Sequence, residues 1–176
     1  MNERIEKIIE FVKQIVPEAR EYIFREQLSI TVPKDRLIEV AETLKTDPEM
    51  SFDMCVDVTA IDWLDKKEER FEVVYFLYSN KFKSRVRIKT EIDENDCSCP
   101  TLTGVWASAN WYERETYDMY GIKFVGHPDL RRFYMPEDYV NPETGEPIYP
   151  LRKDFPLMGI PDSLPLPPYP EKYGEK

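Results

Sequence analysis

A chain of 176 residues is the size of one ordinary domain and is long enough to bury a core. Its formal charge of -10, from 34 acidic and 24 basic residues, repels phosphate backbones and argues against nucleic acid as a partner. No run approaches the ~20 apolar residues of a membrane span, and the charged, alternating stretch Met1–Phe11 reads as neither signal peptide nor anchor, so direct membrane insertion is not expected.

In chain order, Asn2 is placed to cap a helix whose apolar stripe is Ile5, Ile8, Ile9, Val12 and Ile15, ending at Pro17. A strand follows at Leu28–Val32. Pro33 and Asp35 open a second helix with Leu37, Val40, Ala41 and Leu44 on one face, closing before Pro48. In Phe52–Ile61, a strand period puts Phe52, Met54, Val56, Val58 and Ala60 on one face. Phe71–Tyr78 is apolar on both faces, as in a central strand. Phe82–Ile92 alternates most cleanly, with Val86, Ile88 and Ile92 opposite Lys83, Arg85, Arg87 and Lys89. That basic side reads either as a solvated sheet face or as a docking face for an acidic partner or another element of the chain. A third helix fits Thr103–Tyr120, with the stripe Val105, Ala109, Tyr112, Thr116 and Met119 and with Gly121 as its left-handed cap. Residues 1–125 therefore form an α/β (α+β) core domain, a mixed or antiparallel sheet with packed helices.

Beyond it the composition changes. Eleven of the 15 prolines lie between residues 128 and 176, which rules out regular helix or interior strand there. Phe133, Tyr134, Tyr139, Tyr149, Phe155 and Tyr169 share that stretch, whereas disordered tails are poor in aromatics. Residues 126–176 thus read as an extended, proline-stiffened docking arm that loses little entropy when laid on a partner.

Catalytic signals are sparse. His127 is the sole histidine, between glycine and proline, and reads as a hydrogen-bonding turn residue. Cys55 sits in a strand, and Cys97 and Cys99 supply at most half of a metal set, so no metal is expected in this chain. Three cysteines without a disulfide pattern fit a reducing cytoplasm. Six scattered glycines make no phosphate loop.

The dense feature is Glu113-Arg114-Glu115 with Asp118, followed by Arg131-Arg132 and Arg152-Lys153-Asp154. Arg114 and Asp118 are one helical turn apart and can pair, while Glu115 points elsewhere and needs another partner. Such clusters make orientation-specific ion pairs at interfaces. The competing reading is a small acid–base enzyme using Glu113, Glu115 and His127.

The run Trp111-Tyr112-Glu113-Arg114-Glu115-Thr116-Tyr117-Asp118-Met119-Tyr120-Gly121, then Gly126-His127-Pro128-Asp129-Leu130-Arg131-Arg132 and Pro150-Leu151-Arg152-Lys153-Asp154-Phe155-Pro156-Leu157, carries a resemblance. It resembles the 30 kDa subunit family of respiratory complex I (NADH-quinone oxidoreductase) and of related membrane-bound NiFe hydrogenases. The resemblance implies a non-catalytic scaffold in the cytoplasm-facing peripheral arm of an ion-pumping redox complex. It implies docking on a large (49 kDa or hydrogenase-like) subunit, beside iron–sulfur subunits and with membrane subunits holding the whole. Iron–sulfur clusters, and NiFe or quinone, then belong to those partners and not to this chain. On the same footing Glu113, Arg114, Glu115, Asp118, His127, Arg131, Arg132, Arg152, Lys153 and Asp154 are interface and structural residues, with none catalytic. The insertion Asn141–Glu146 and the ending Met158-Gly159-Ile160-Pro161 depart from the complex I pattern and leave open which complex is served. An independent adaptor or assembly factor docking through the arm is the alternative from another class.

Overall fold

The computed structural model describes residues 3–156. Helix α1 (Glu3–Ile15) buries Ile5, Ile8 and Val12, the predicted stripe; its expected cap, Asn2, lies outside the described residues. Strands β1 (Arg20–Phe24) and β2 (Gln27–Thr31) form a hairpin, and a 3-10 turn (Lys34–Arg36) leads into α2 (Leu37–Thr46). Three long strands follow, β3 (Met54–Asp62), β4 (Phe71–Ser79) and β5 (Ser84–Ile92). Then come β6 (Ser98–Pro100), α3 (Ala109–Tyr120) and β7 (Lys123–Val125). The fold is α/β with one mixed five-stranded sheet in the order β1-β2-β5-β4-β3; its pairs are antiparallel except β2 with β5. Strands β6 and β7 pair in parallel as a second, small sheet.

The period of two along β4 and β5 decides where the core lies. Val73, Tyr75 and Leu77 with Val86, Ile88 and Ile92 join one cluster with Ile8 and Val12 of α1, Leu37, Val40 and Leu44 of α2, and Ala109 of α3. Glu72, Val74, Phe76 and Tyr78, with Arg85, Arg87 and Lys89, point the other way. The result is two layers, with the helices on one side of the sheet.

Three expectations are corrected. The strand β1 was missed, because Arg20–Phe24 is exposed nearly throughout and carries no alternation of burial. Its turn, Arg25-Glu26, takes φ of 48° and 63°, left-handed values that the usual Asn-Gly signal would announce and these residues do not. In β3 the face reverses: Met54 and Val56 are exposed while Cys55, Val58 and Ala60 are buried. A register shift between Cys55 and Asp57 inserts one residue and turns the strand over locally. Finally, α3 begins at Ala109, not Thr103; residues 103–108 are turns that bring Trp106 and Ser108 onto the backbone carbonyls of Phe52 and Cys55. Its buried face carries Glu113 and Thr116, while Tyr112 and Met119 are only half-buried.

Gly121 closes α3 in the left-handed conformation (φ 79°), as the sequence indicated. The chain then turns back, and residues 126–156 of the predicted arm lie along α3, with Tyr139 and Ile148 buried. Residues 157–176, including Leu157, lie outside the described residues. A Cβ at Gly121 would come 2.6 Å from the Tyr149 ring and 2.7 Å from the Arg152 guanidinium. Gly121→Ala should therefore cost the ~1–2 kcal/mol of a left-handed non-glycine residue and also lift the arm. Urea unfolding would show the first, and faster tryptic cleavage at Arg152 the second; unchanged cleavage would refute the packing role.

Candidate functional site

Helix α3 places Glu113, Arg114 and Asp118 on its inner and arm-facing sides, all buried. Glu113 reaches the sheet. Its Oε1 accepts from the Tyr75 hydroxyl (3.0 Å) and the Leu102 amide (2.8 Å), and its Oε2 accepts from the Thr101 hydroxyl. No cation pairs with it among the described residues. Burial pushes the Glu113 pKa up, against the pull of its three donors. Burial raises the Tyr75 hydroxyl pKa as well, and the neighbouring Cys55 thiol is pushed up to about 12.

Asp118 is fully buried and turns toward the returning chain. Its Oδ2 accepts three successive backbone amides, from Phe133 (3.2 Å), Tyr134 (2.9 Å) and Met135 (2.9 Å). Its Oδ1 lies 3.6 Å from Nη1 of Arg132. Arg132 also donates to the Ile148 carbonyl (3.0 Å) and stacks on Tyr149. A nest of amides plus one guanidinium thus neutralises the carboxylate.

The expected Arg114–Asp118 pair does not form. Arg114 donates instead to the Arg131 carbonyl (3.2 Å) and approaches Asp129 at 3.9 Å. Its guanidinium lies 4.8 Å from the Trp111 ring and 5.2 Å from the Phe133 ring. Helical spacing permitted the pair, but the amides of residues 133–135 are better-aimed donors for Asp118. Glu115 is half-buried, and its side chain has no hydrogen bond or ion pair among the described residues.

Arg152 caps the far end of α3. It donates to the Tyr120 carbonyl (2.6 Å), with Tyr149 and Phe71 rings on its flanks at 4.5 and 5.1 Å. A cation at a helix C-terminus meets carbonyls that lack internal partners. Beside it, Arg70 grips Asp62 in two bonds (3.1 and 2.9 Å), meets Asp154 at 2.9 Å and also bonds Glu94. Asp62 in turn accepts the Lys153 amide (2.8 Å). Burial opposes ionisation of Asp62, but the Arg70 bonds and two amides win and hold its pKa below the ordinary carboxylate value. Asp62 and Arg70 escaped the sequence reading, since one ends β3 and the other precedes β4, with no shared spacing to link them.

His127 is a turn residue: Nδ1 accepts the Asp129 amide (3.0 Å), which leaves Nε2–H to donate to the Asn110 carbonyl (3.1 Å). Glu113 faces the core, and the structure does not join Glu113, Glu115 and His127 in one hydrogen-bonded set. Arg131 is exposed and bonds Asp129. The cysteines are free, with Cys97 beside Arg152 (Sγ to Nη2, 3.9 Å). Among the described residues no group of three or more His, Cys, Asp or Glu is placed to hold a metal.

What faces outward is aromatic. Trp111 is 59% and Tyr134 60% exposed, joined through Phe133, whose ring lies 5.5 Å from Trp111 and 4.1 Å from Tyr134. Arg114 stacks from beneath, and Arg131 stands nearby.

Two outcomes follow from this geometry. Arg70→Met should cost roughly 3–5 kcal/mol in urea unfolding, because it strands the buried Asp62 carboxylate; a loss below ~1 kcal/mol would show that the cluster holds nothing. For Glu113, a raised pKa means that its stabilising effect is full below the ordinary Glu value and is lost as pH rises through the raised one. Glu113→Gln should abolish that decline, so its stability profile above the ordinary Glu pKa should be flatter than the parent's; parallel profiles would contradict it.

Comparison with known proteins bears on the same residues. A family model described as respiratory-chain NADH dehydrogenase, 30 kDa subunit, matches residues 30–161. The C subunit of NADH-quinone oxidoreductase from Geobacter sulfurreducens is 42% identical over 164 residues, 93% of this chain and 94% of that one. The C/D subunit of the same oxidoreductase from a Sulfurihydrogenibium species is 48% identical over 136 residues, 77% of this chain but 22% of its own length. Among solved structures, the trypsin-resistant fragment (1-134) of Nqo5 superposes with a TM-score of 0.63 at 33% identity, covering 72% of this chain and 99% of that one. A chain of the membrane-bound sulfane sulfur reductase, an archaeal respiratory membrane complex, gives 0.68 at 30% identity, covering 89% and 88%.

Proposed function

Because this chain belongs to the respiratory-chain NADH dehydrogenase 30 kDa subunit family, we propose that it is a non-catalytic scaffold of the peripheral arm, docked on the large subunit of its complex. Its relatives are subunits of multi-subunit, membrane-associated respiratory complexes, and no helix among the described residues is long and apolar enough to cross a membrane. On this reading partner subunits hold it at the cytoplasmic side, and the iron–sulfur clusters, and NiFe or quinone, reside in those partners.

One observation carries the proposal. Asp118, Arg132 and Arg152 of the charged motif are spent internally, holding residues 126–156 on α3, while Trp111, Phe133 and Tyr134 stand out beside Arg131. Trp, Tyr and Arg are the side chains that dominate interface energetics. Arg114 stacks under two of the rings and fixes their orientation, so little entropy is lost on docking. The Sulfurihydrogenibium relative supports the partner's identity, since it carries the matching region within a much longer chain whose name, C/D, joins two subunits.

Replacing Trp111 and Tyr134 together by alanine should leave the isolated chain folded, as both are largely exposed. Binding to the co-expressed large subunit should weaken by at least about 30-fold, the scale of one hot-spot residue. Co-purification of a tagged chain with its large subunit reads this directly. Undiminished recovery of the complex by the double variant would remove the patch from the interface.

A further inference from the structure

The open end of the sheet holds a second feature, between β2 and β5 and beside the start of α1, where Arg4, Ile5 and Ile8 also line it. Strands β2 and β5 pair only at Ser29–Thr31 with Arg87–Lys89. Gln27 and Leu28 of β2, and Ser84–Val86 of β5, lie beyond the last paired residues, so the sheet opens there. A cavity of about 680 Å³ occupies the opening and runs over the start of β5 toward β3. Its outer walls are apolar: Val56 is 40% and Phe82 38% exposed, and Phe76 is half-buried between them and the arginines. The bulge in β3 is what puts Val56 on this side.

The rim is basic. Arg4, Lys83, Arg85 and Arg87 line the cavity against two carboxylates, Glu26 and Asp57, so cations are in excess. Arg85 lies over the Tyr78 ring at 5.6 Å, and Arg87 over Phe76 at 5.4 Å with one bond to the Gln27 side chain. Neither arginine has a carboxylate partner among the described residues, although Lys89, next along β5 on the same face, is paired with Glu72. On a chain of net charge -10, two adjacent unpaired arginines over an apolar groove are a local reversal of the field. Stacking on Tyr78 and Phe76 holds their guanidinium planes at the groove edge, which favours bidentate capture of carboxylates.

We infer that this groove is a docking site for an extended, acidic polypeptide segment of a partner, with apolar side chains seated against Val56, Phe76 and Phe82 and carboxylates on Arg85 and Arg87. The apolar walls favour a peptide over a bare polyanion, and the length of the groove across strands favours an extended segment. The site is separate from the Trp111 patch, and its occupancy does not depend on the docking proposed there.

The probe is a fluorescein-labelled eight-residue peptide alternating Glu and Val, titrated with the full chain and read by anisotropy. Binding should weaken at least about tenfold on raising salt, and by a similar factor in the variant Arg85→Gln/Arg87→Gln, with unfolding midpoint unchanged. The milder Arg87→Gln alone should give an intermediate loss, which keeps the test valid if the double variant is unstable. No binding, equal binding of a Lys–Val peptide, or binding indifferent to the arginines would overturn the inference. So would polyphosphate competing as well as the unlabelled peptide, or sedimentation showing that a second copy of the chain fills the groove.

Discussion

Asp118 takes a carboxyl group into the interior of the molecule, and three backbone amides in succession close around it. Amides of consecutive residues converge on one oxygen only where the chain bends sharply, so the carboxylate dictates the path of residues 133–135. From that point the arm runs back over the helix that bears Asp118. Arg132 contacts Ile148 and Tyr149, and Arg152 reaches the last carbonyl of α3.

The arginines around α3 and the arm follow a common pattern. Each guanidinium is shared between a carbonyl or carboxylate and an aromatic ring: Arg114 with Trp111 and Phe133, Arg132 and Arg152 with Tyr149, Arg70 with Phe71. Planar cations stacked on rings keep their edges free to donate, so most of a half-dry segment rich in proline is hydrogen-bonded without regular secondary structure, the exception being Arg132 Nη1 facing Asp118 Oδ1. Gly121 completes the arrangement by leaving room for Tyr149 and Arg152 where a side chain would stand.

The buried charges are committed to internal partners, and the surfaces left for other molecules are of two kinds. One is aromatic and sits over α3 and the arm; the other is apolar with an excess of basic groups, at the open end of the sheet beside α1. The two share no lining residue and are built on different elements.

The sequence by itself determined much of this. Period and punctuation located α1, α2, the three long strands and the left-handed cap at Gly121, and the run from Trp111 to Leu157 was enough to reveal the family. Spacing also marked Arg114 and Asp118 as neighbours, yet neighbours on a helix need not be partners. Their true partners, Asp129 and Arg131 for one and residues 132–135 for the other, come from chain that returns after a turn. Likewise nothing local joins Asp62, Arg70 and Asp154, and nothing local reports that β2 and β5 part after three paired residues. Local pattern records which face of an element is buried. What lies against that face is decided by contacts between distant segments, whose free energies no single stretch of chain contains, and only the tertiary structure could supply them.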